Sequence, residues 1–260
     1  MNGSHCPDAP PITVLIHGVG LDSHMWDRVC TTLDRPVLRY DLLGHGDDPA
    51  VQGPFSLTDF VEQLRAVLAG AGIQHCDIVG FSMGALIAQG FALAYPESVR
   101  RMVLLNAVFN RTSAQRGAVL ARVQAVRSDG YLSTIEPAID RWFSPTFATE
   151  EPQVLATVRT RLKRNNALAY ANAYAVFAVA DAELCERVGE IRCPTLVVTG
   201  RDDQRSTAEM SIALAAAMAT AQARIIDRAR HLTPIEVPEQ VAALIDEHFG
   251  TTEMEPSRWA

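Results

Sequence analysis

The chain has 260 residues, 48% hydrophobic and 20% charged. That is an ordinary globular composition, which excludes wholesale disorder and allows a large core without disulfides or metals. A formal net charge of −7 argues against a duplex-binding surface, and Lys163, the only lysine, has no G-x-x-x-x-G-K before it, so a Walker-type phosphate loop is excluded.

In chain order, short apolar runs at Ile12–Ile16, Val37–Tyr40, Asp77–Phe81 and Met102–Leu105 are of strand length, and helix-like stretches at Ser56–Ala69 and Met83–Tyr95 lie between them. Such alternation predicts parallel strands joined by crossover helices, covered on both faces. From residue 110 to 187 no strand is expected, and the text is helical, Arg-rich and aromatic. Strand logic resumes at Thr195–Thr199 and Ala223–Ile226, with helices around Ala208–Ala219 and Pro238–Phe249. The pattern predicts an α/β core (1–109 and 188–260) interrupted by a helical insertion (110–187), with a frayed tail at 251–260.

Five cysteines (Cys6, Cys30, Cys76, Cys185, Cys193) are never spaced C-x-x-C, so neither a disulfide framework nor a zinc knuckle is expected. The first residues lack a basic start followed by an apolar run, and Asn172 and Asp181 break the longest apolar stretch. The expectation is a cytoplasmic protein with no cofactor, no metal and no nucleic-acid or membrane partner. No sequence feature sets an oligomeric state.

Gly80–Gly84 reads GFSMG, a G-x-S-x-G elbow placed where a strand ends and a helix begins. Ser82 then occupies a strained turn, and the flanking glycines let strand and helix approach closely. The Gly-rich turn His17–Gly20 ends the first strand, and the expected oxyanion hole is the N–H groups of Val19 and Met83. His17, at the end of a buried strand, suits a structural hydrogen bond better than catalysis. A dinucleotide loop is excluded there, because Ser23 replaces the third glycine of G-x-G-x-x-G.

A serine hydroxyl needs a general base, oriented by an acid. His231 follows the last apolar run in a loop expected to face the elbow. His24 and His45 are rivals in nearby loops, while His5, His75 and His248 are poorly placed. The acid should follow another strand, as Asp202 and Asp203 both do; Asp203 is preferred, giving the order Ser82, Asp203, His231.

The stretches at 17–26, 40–46, 80–107, 141–147, 193–203 and 229–239 together resemble the α/β-hydrolase superfamily over nearly the whole length. Within it the chain is similar to the 3-oxoadipate enol-lactonase and small-carboxylesterase group. The resemblance implies an α/β-hydrolase fold with the insertion as a helical lid, and Ser82 as nucleophile, Asp203 as acid and His231 as base. It also implies a cofactor-independent serine hydrolase acting on a small ester or enol-lactone. Amide or carbon–carbon hydrolysis on the same triad, haloperoxidase-type chemistry and a low-turnover ligand receptor are the alternatives.

Three departures stand out: Ala85 for a third elbow glycine, Gln204 and Thr207 for the prolines usual after the acid, and Leu43 and Asp48 in the loop after the second strand. The insertion's aromatics (Tyr131, Trp142, Phe143, Phe147, Tyr170, Tyr174, Phe177) either line the pocket or pack the lid. Arg141 and Trp142 are the expected substrate contacts, Arg141 receiving a carboxylate of the small-molecule substrate against the long-range repulsion of a −7 chain. Arg159, Arg161 and Arg164 are expected to be solvated.

Overall fold

The apolar runs lie side by side as parallel strands. The computed structural model describes residues 11–48 and 53–250; His5, Cys6 and the tail at 251–260 lie outside them. Among the described residues six strands form one parallel sheet: β1 (Thr13–Ile16), β2 (Val37–Arg39), β3 (Cys76–Phe81), β4 (Val99–Leu105), β5 (Thr195–Gly200) and β6 (Ala221–Ile226). Their order across the sheet is β2-β1-β3-β4-β5-β6.

From β1 the chain steps outward to β2 and then crosses back to β3 on the other side of β1. This reversal is a topological switch point, and the loops leaving the carboxyl ends of β1 and β3 part there to form a crevice. Those loops carry His17–Gly20 and Ser82.

The helices are α1 (Asp27–Cys30), α2 (Leu57–Gly70), α3 (Met83–Ala94), α4 (Ser113–Asp129), α5 (Ile135–Trp142), α6 (Pro145–Glu150), α7 (Pro152–Arg164), α8 (Ala167–Leu184), α9 (Ala208–Ala216), α10 (Thr233–Glu236) and α11 (Pro238–Gly250). Local chemistry fixes their starts. Ser56 and Asp59 form a capping box on α2, Thr112 and Gln115 do so on α4, and the Asn166 side chain accepts from Leu168 and Ala169 N–H on α8. Helix α3 is apolar nearly all round because it is nearly all buried, lying behind β3 in the centre of the core.

Helices α4–α8 fill the interval between β4 and β5. Several ties hold them over the carboxyl edge of the sheet. Leu232 N–H donates to Trp142 O at 3.1 Å, and Arg230 Nη1 donates to the carbonyls of Asp140 and Phe143. Asn165 Nδ2 donates to Gly20 O at 2.7 Å. Arg161 departs from the solvated placement expected of it: it faces Asp22 at 3.4 Å and Asp27 at 3.5 Å, because α7 lies against the loop after β1.

Candidate active site

Ser82 closes β3 and opens α3 with φ 53° and ψ −109°, a left-handed backbone that a non-glycine residue adopts only when its surroundings over-determine it. The surroundings do so through close backbone approach. A Cβ on Gly84 would lie 2.3 Å from Ile16 O, and one on Gly80 would lie 2.3 Å from Gly84 O. Ser82 N–H meanwhile donates to Leu105 O at 2.9 Å, continuing the ladder to β4. The elbow is thus clamped by β1 on one side and β4 on the other.

Asp203 and His231 meet beside it. Asp203 Oδ2 accepts from His231 Nδ1 at 2.6 Å, so the ring's Nε2 carries the free lone pair. Asp203 is buried, and its Oδ1 accepts from the N–H groups of Arg205 and Ser206. Burial pushes its carboxyl up, but the charge and hydrogen bond of His231 and these N–H donors outweigh that and hold it below the usual carboxylate range. Asp202 is exposed and turned away, so the carboxylate against His231 is that of Asp203. The prolines missing after it are replaced by another device: the Thr207 side chain caps α9 by accepting from Met210 N–H.

Asn106 has no role in the sequence reading. It is buried at the end of β4 with φ 49°, its Nδ2 donates to Asp203 Oδ2 at 2.9 Å and to Thr199 Oγ1 at 3.1 Å, and Thr233 Oγ1 donates to its Oδ1 at 2.5 Å. One amide therefore ties the ends of β4 and β5 to the start of α10, just after His231. The available signal was a polar residue directly after the apolar run VLL.

Val19, Ser82, Asp203 and His231 line one cavity of about 110 Å³, and Phe81 and Trp142 flank the His231 ring at centroid distances of 5.1 and 6.3 Å. Among the described residues neither Val19 N–H nor Met83 N–H is given to a backbone carbonyl. Met83 opens α3, where N–H groups lack intrahelical acceptors and the helix dipole favours negative charge; its side chain is buried and does not line the cavity.

From α4–α8, Trp142, Tyr170, Tyr174 and Phe177 line the cavity, while Tyr131, Phe143 and Phe147 pack into the core. Arg141 also lines it. Leu43 and Asp48 do not; Asp48 instead accepts from Gly44 N–H.

The other histidines play other parts. His17 Nε2 accepts from Leu42 N–H at 2.9 Å, so Nδ1 carries the proton and donates to Gly18 O at 2.8 Å. That is the structural hydrogen bonding expected of it. Burial first, then neighbouring His45, push the His17 pKa down to about 3; burial takes His45 to about 4. His24 is exposed beside Asp27. Among the described residues no group of His, Cys, Asp and Glu could hold a metal ion, and no helix is long and apolar enough to cross a membrane.

The sequence profile of the alpha/beta hydrolase family matches residues 13–244. The chain is 34% identical to an (E)-2-((N-methylformamido)methylene)succinate hydrolase of Acinetobacter baylyi, over 92% of this chain and 90% of that one. To 3-oxoadipate enol-lactonase 2 of the same organism it is 26% identical, over 88% and 85%. The crystal structure of the enol-lactonase from Burkholderia xenovorans LB400 superposes with a TM-score of 0.87 at 26% identity, covering 96% of this chain and 95% of that one.

Proposed function

The chain belongs to the alpha/beta hydrolase family, and from that premise we propose that this hydrolase is a serine enzyme opening a small carboxylic ester or enol-lactone through an acyl-enzyme. The observation that carries the reading is the strained Ser82 elbow sharing one cavity with the 2.6 Å Asp203–His231 pair.

In this reading Ser82 Oγ attacks the substrate carbonyl while His231 Nε2 takes its proton. Asp203 holds the imidazole in the tautomer that can accept, and its ionised carboxylate stabilises the imidazolium that forms. The negative charge on the carbonyl oxygen falls to the N–H groups of Val19 and Met83, each worth roughly 3–4 kcal/mol in comparable sites. Collapse breaks the carbonyl–oxygen bond, and His231 returns the proton to the leaving alkoxide. Water then repeats the sequence on the acyl-enzyme, releasing the acid and restoring Ser82. No cofactor enters any step.

The segment 110–187 acts as a lid that shapes the acyl pocket, with Trp142 against His231 and Arg141 receiving a carboxylate of the substrate. Cytoplasmic residence is part of the same proposal, supported by the free thiols of Cys30, Cys76, Cys185 and Cys193. A second reading, amide hydrolysis on the same residues, is favoured by the relative named for a formamide-bearing succinate.

The decisive test is Ser82→Ala. Turnover of a chromogenic acetate ester should fall by on the order of 10⁵ or more with unfolding unchanged, and a fluorophosphonate should add its mass to the peptide holding Ser82. Labelling of another serine, or full activity in the variant, sinks the mechanism.

A further inference from the structure

Three arginines from three separate elements line the Ser82 cavity, Arg122 from α4, Arg141 from α5 and, exposed at its rim, Arg205 from the loop after β5, and the charges of Arg122 and Arg205 both act on Arg141. Among the described residues no carboxylate lies within ion-pair distance of any of them. The cavity wall has one acid, Asp203, and His231 takes it.

The chain is not short of acids, with 30 Asp and Glu against 23 Lys and Arg. Partly buried arginines elsewhere are met. Arg35 faces Asp77 and Asp246, Arg161 faces Asp22 and Asp27, and Arg230 reaches the carbonyls of Asp140 and Phe143. Arg111, the fourth arginine on the cavity wall, does have a carboxylate: Asp181, which it shares with Arg116, and the Phe177 carbonyl take its Nη2, and the Phe177 ring covers the guanidinium at 4.7 Å, while its Nε and Nη1 are buried without a hydrogen-bond partner. Arg111 is structural, and the remaining three are the exception.

Arg122 gives its Nε to the Tyr174 hydroxyl at 3.0 Å, which fixes the plane of the fork; among the described residues both its Nη atoms are without a protein partner. Arg141 feels the other two. Burial chiefly, with the like charges of Arg122 and Arg205, holds its pKa below the usual arginine range. Three like charges around a partly enclosed space repel one another, and they do so more strongly where water is excluded. A carboxylate occupies one planar fork bidentately, so a monoanion leaves most of this charge uncompensated.

We infer that this cavity, read as the hydrolase site proposed above, takes a short dicarboxylate, with one carboxylate on Arg122 and Arg141 and the other on Arg205. The ligand must be short because the cavity offers only about 110 Å³ and all three arginines lie on its wall with Ser82 and His231. Arg141 adjoins Trp142, whose ring centroid lies 6.3 Å from that of His231, and Arg205 follows Asp203 by two residues and donates its N–H to that carboxylate. Nothing else on the wall requires two charges.

Calorimetric titration of the Ser82→Ala protein with succinate and with succinamate, its singly charged isostere, reads the second charge directly. Succinate should bind at least about tenfold more tightly, the scale expected for one charge pair near a surface. Adding Arg205→Gln, at an exposed side chain that the fold does not depend on, should bring that ratio toward one. Adding Arg122→Gln instead should weaken both ligands by a similar factor. Equal affinities for the two ligands, or a ratio unmoved by Arg205→Gln, overturns the dicarboxylate assignment. Turnover of p-nitrophenyl acetate by the unaltered protein separates the two levels: Ser82-dependent turnover with equal affinities removes the dicarboxylate and leaves the hydrolase, whereas turnover independent of Ser82 removes the hydrolase reading itself.

Discussion

The carboxyl edge of the sheet and the helices laid over it face each other across one cavity, yet they hold their polar groups in opposite ways. At the sheet edge the charged and ring groups that hold the geometry are met within the protein: Asp203 by His231, Asn106 and two backbone N–H groups, and His17 by Leu42 and Gly18, while Ser206 Oγ and His45 Nε2 are buried without a partner. On the helical side Arg122 and Arg141 point at the same space with no carboxylate among the described residues to meet them. A matched network is pre-organised and resists change, which suits residues that must hold one geometry. Cations with no carboxylate partner in the protein are available to an anionic ligand, which suits recognition. On the function proposed above, the sheet would fix the chemistry and the helices would choose the substrate.

Breaking the sheet side should therefore cost most. Asp203→Asn removes the charge that selects the His231 tautomer, and kcat should fall by about 10⁴. The same change at exposed Asp202 should cost a few-fold at most, on the scale of ordinary surface substitutions. Steady-state kinetics on a chromogenic ester would rank them, and the reverse ranking would move the acid by one residue.

The contrast also explains what could be read in the sequence. Strands buried on both faces leave runs such as ITVLI and MVLL, and the elbow needs glycines at fixed spacing, so the sheet and Ser82 were legible. Asp203 is preferred to Asp202 in the sequence although both follow the same strand; in the fold burial and the hydrogen bond to His231 separate them. Asn106 left one polar letter after an apolar run. Arg122 and Arg205 lie 83 positions apart and meet at one cavity only because the chain between β4 and β5 folds back over the end of the sheet. Arg161 was misread for a related reason. Its helix shows a basic face, and the acids that cover it, Asp22 and Asp27, come from the far end of the chain.

On the helical side the effect should depend on the substrate. Arg141→Ala should lower the ratio of kcat/KM for a free-acid ester to that for its methyl-capped analogue by about 10- to 100-fold. That is the lower part of the range for a desolvated charge pair, because Arg141 is only half-buried. An unchanged ratio would make Arg141 a packing residue and end the division of labour drawn above.

The matched side makes a prediction of its own on acidification. His17 and His45 stay neutral in the fold to about pH 3 and about pH 4, whereas in the unfolded chain they protonate near 6.5. Between those limits the unfolded state binds more protons, so stability is complete above about pH 6.5 and declines as the pH falls. The slope approaches roughly 1.4 kcal/mol per pH unit for each imidazole. Asp41, the carboxylate nearest this pair, offsets part of the loss by favouring the charged rings. Denaturant midpoints taken between pH 7.5 and 4.5 would show the decline, and His45→Gln should make it shallower. A profile that is flat in the unaltered protein contradicts the neutral, buried assignment.

The smallest effect expected lies at the seam between the two regions. Arg161 sits on α7 and faces Asp22 in the loop after β1 and Asp27 at the start of α1, with its side chain 17% exposed; Arg159, two residues earlier, pairs with Glu136 within the helical segment. Exposed ion pairs contribute about 0–1 kcal/mol, and partial burial moves Arg161 toward the upper end of that range. Arg161→Ala should then lower global stability by about 1 kcal/mol and Arg159→Ala by less. Their local signatures should differ more. Losing Arg161 frees α7 from the loop after β1, so amide exchange in α7 should quicken while β3 and β4 keep their protection; losing Arg159 leaves that seam intact. If both variants quicken α7 equally, the ion pairs to Asp22 and Asp27 do not join the regions, and the hydrogen bond from Asn165 to Gly20 carries the connection instead.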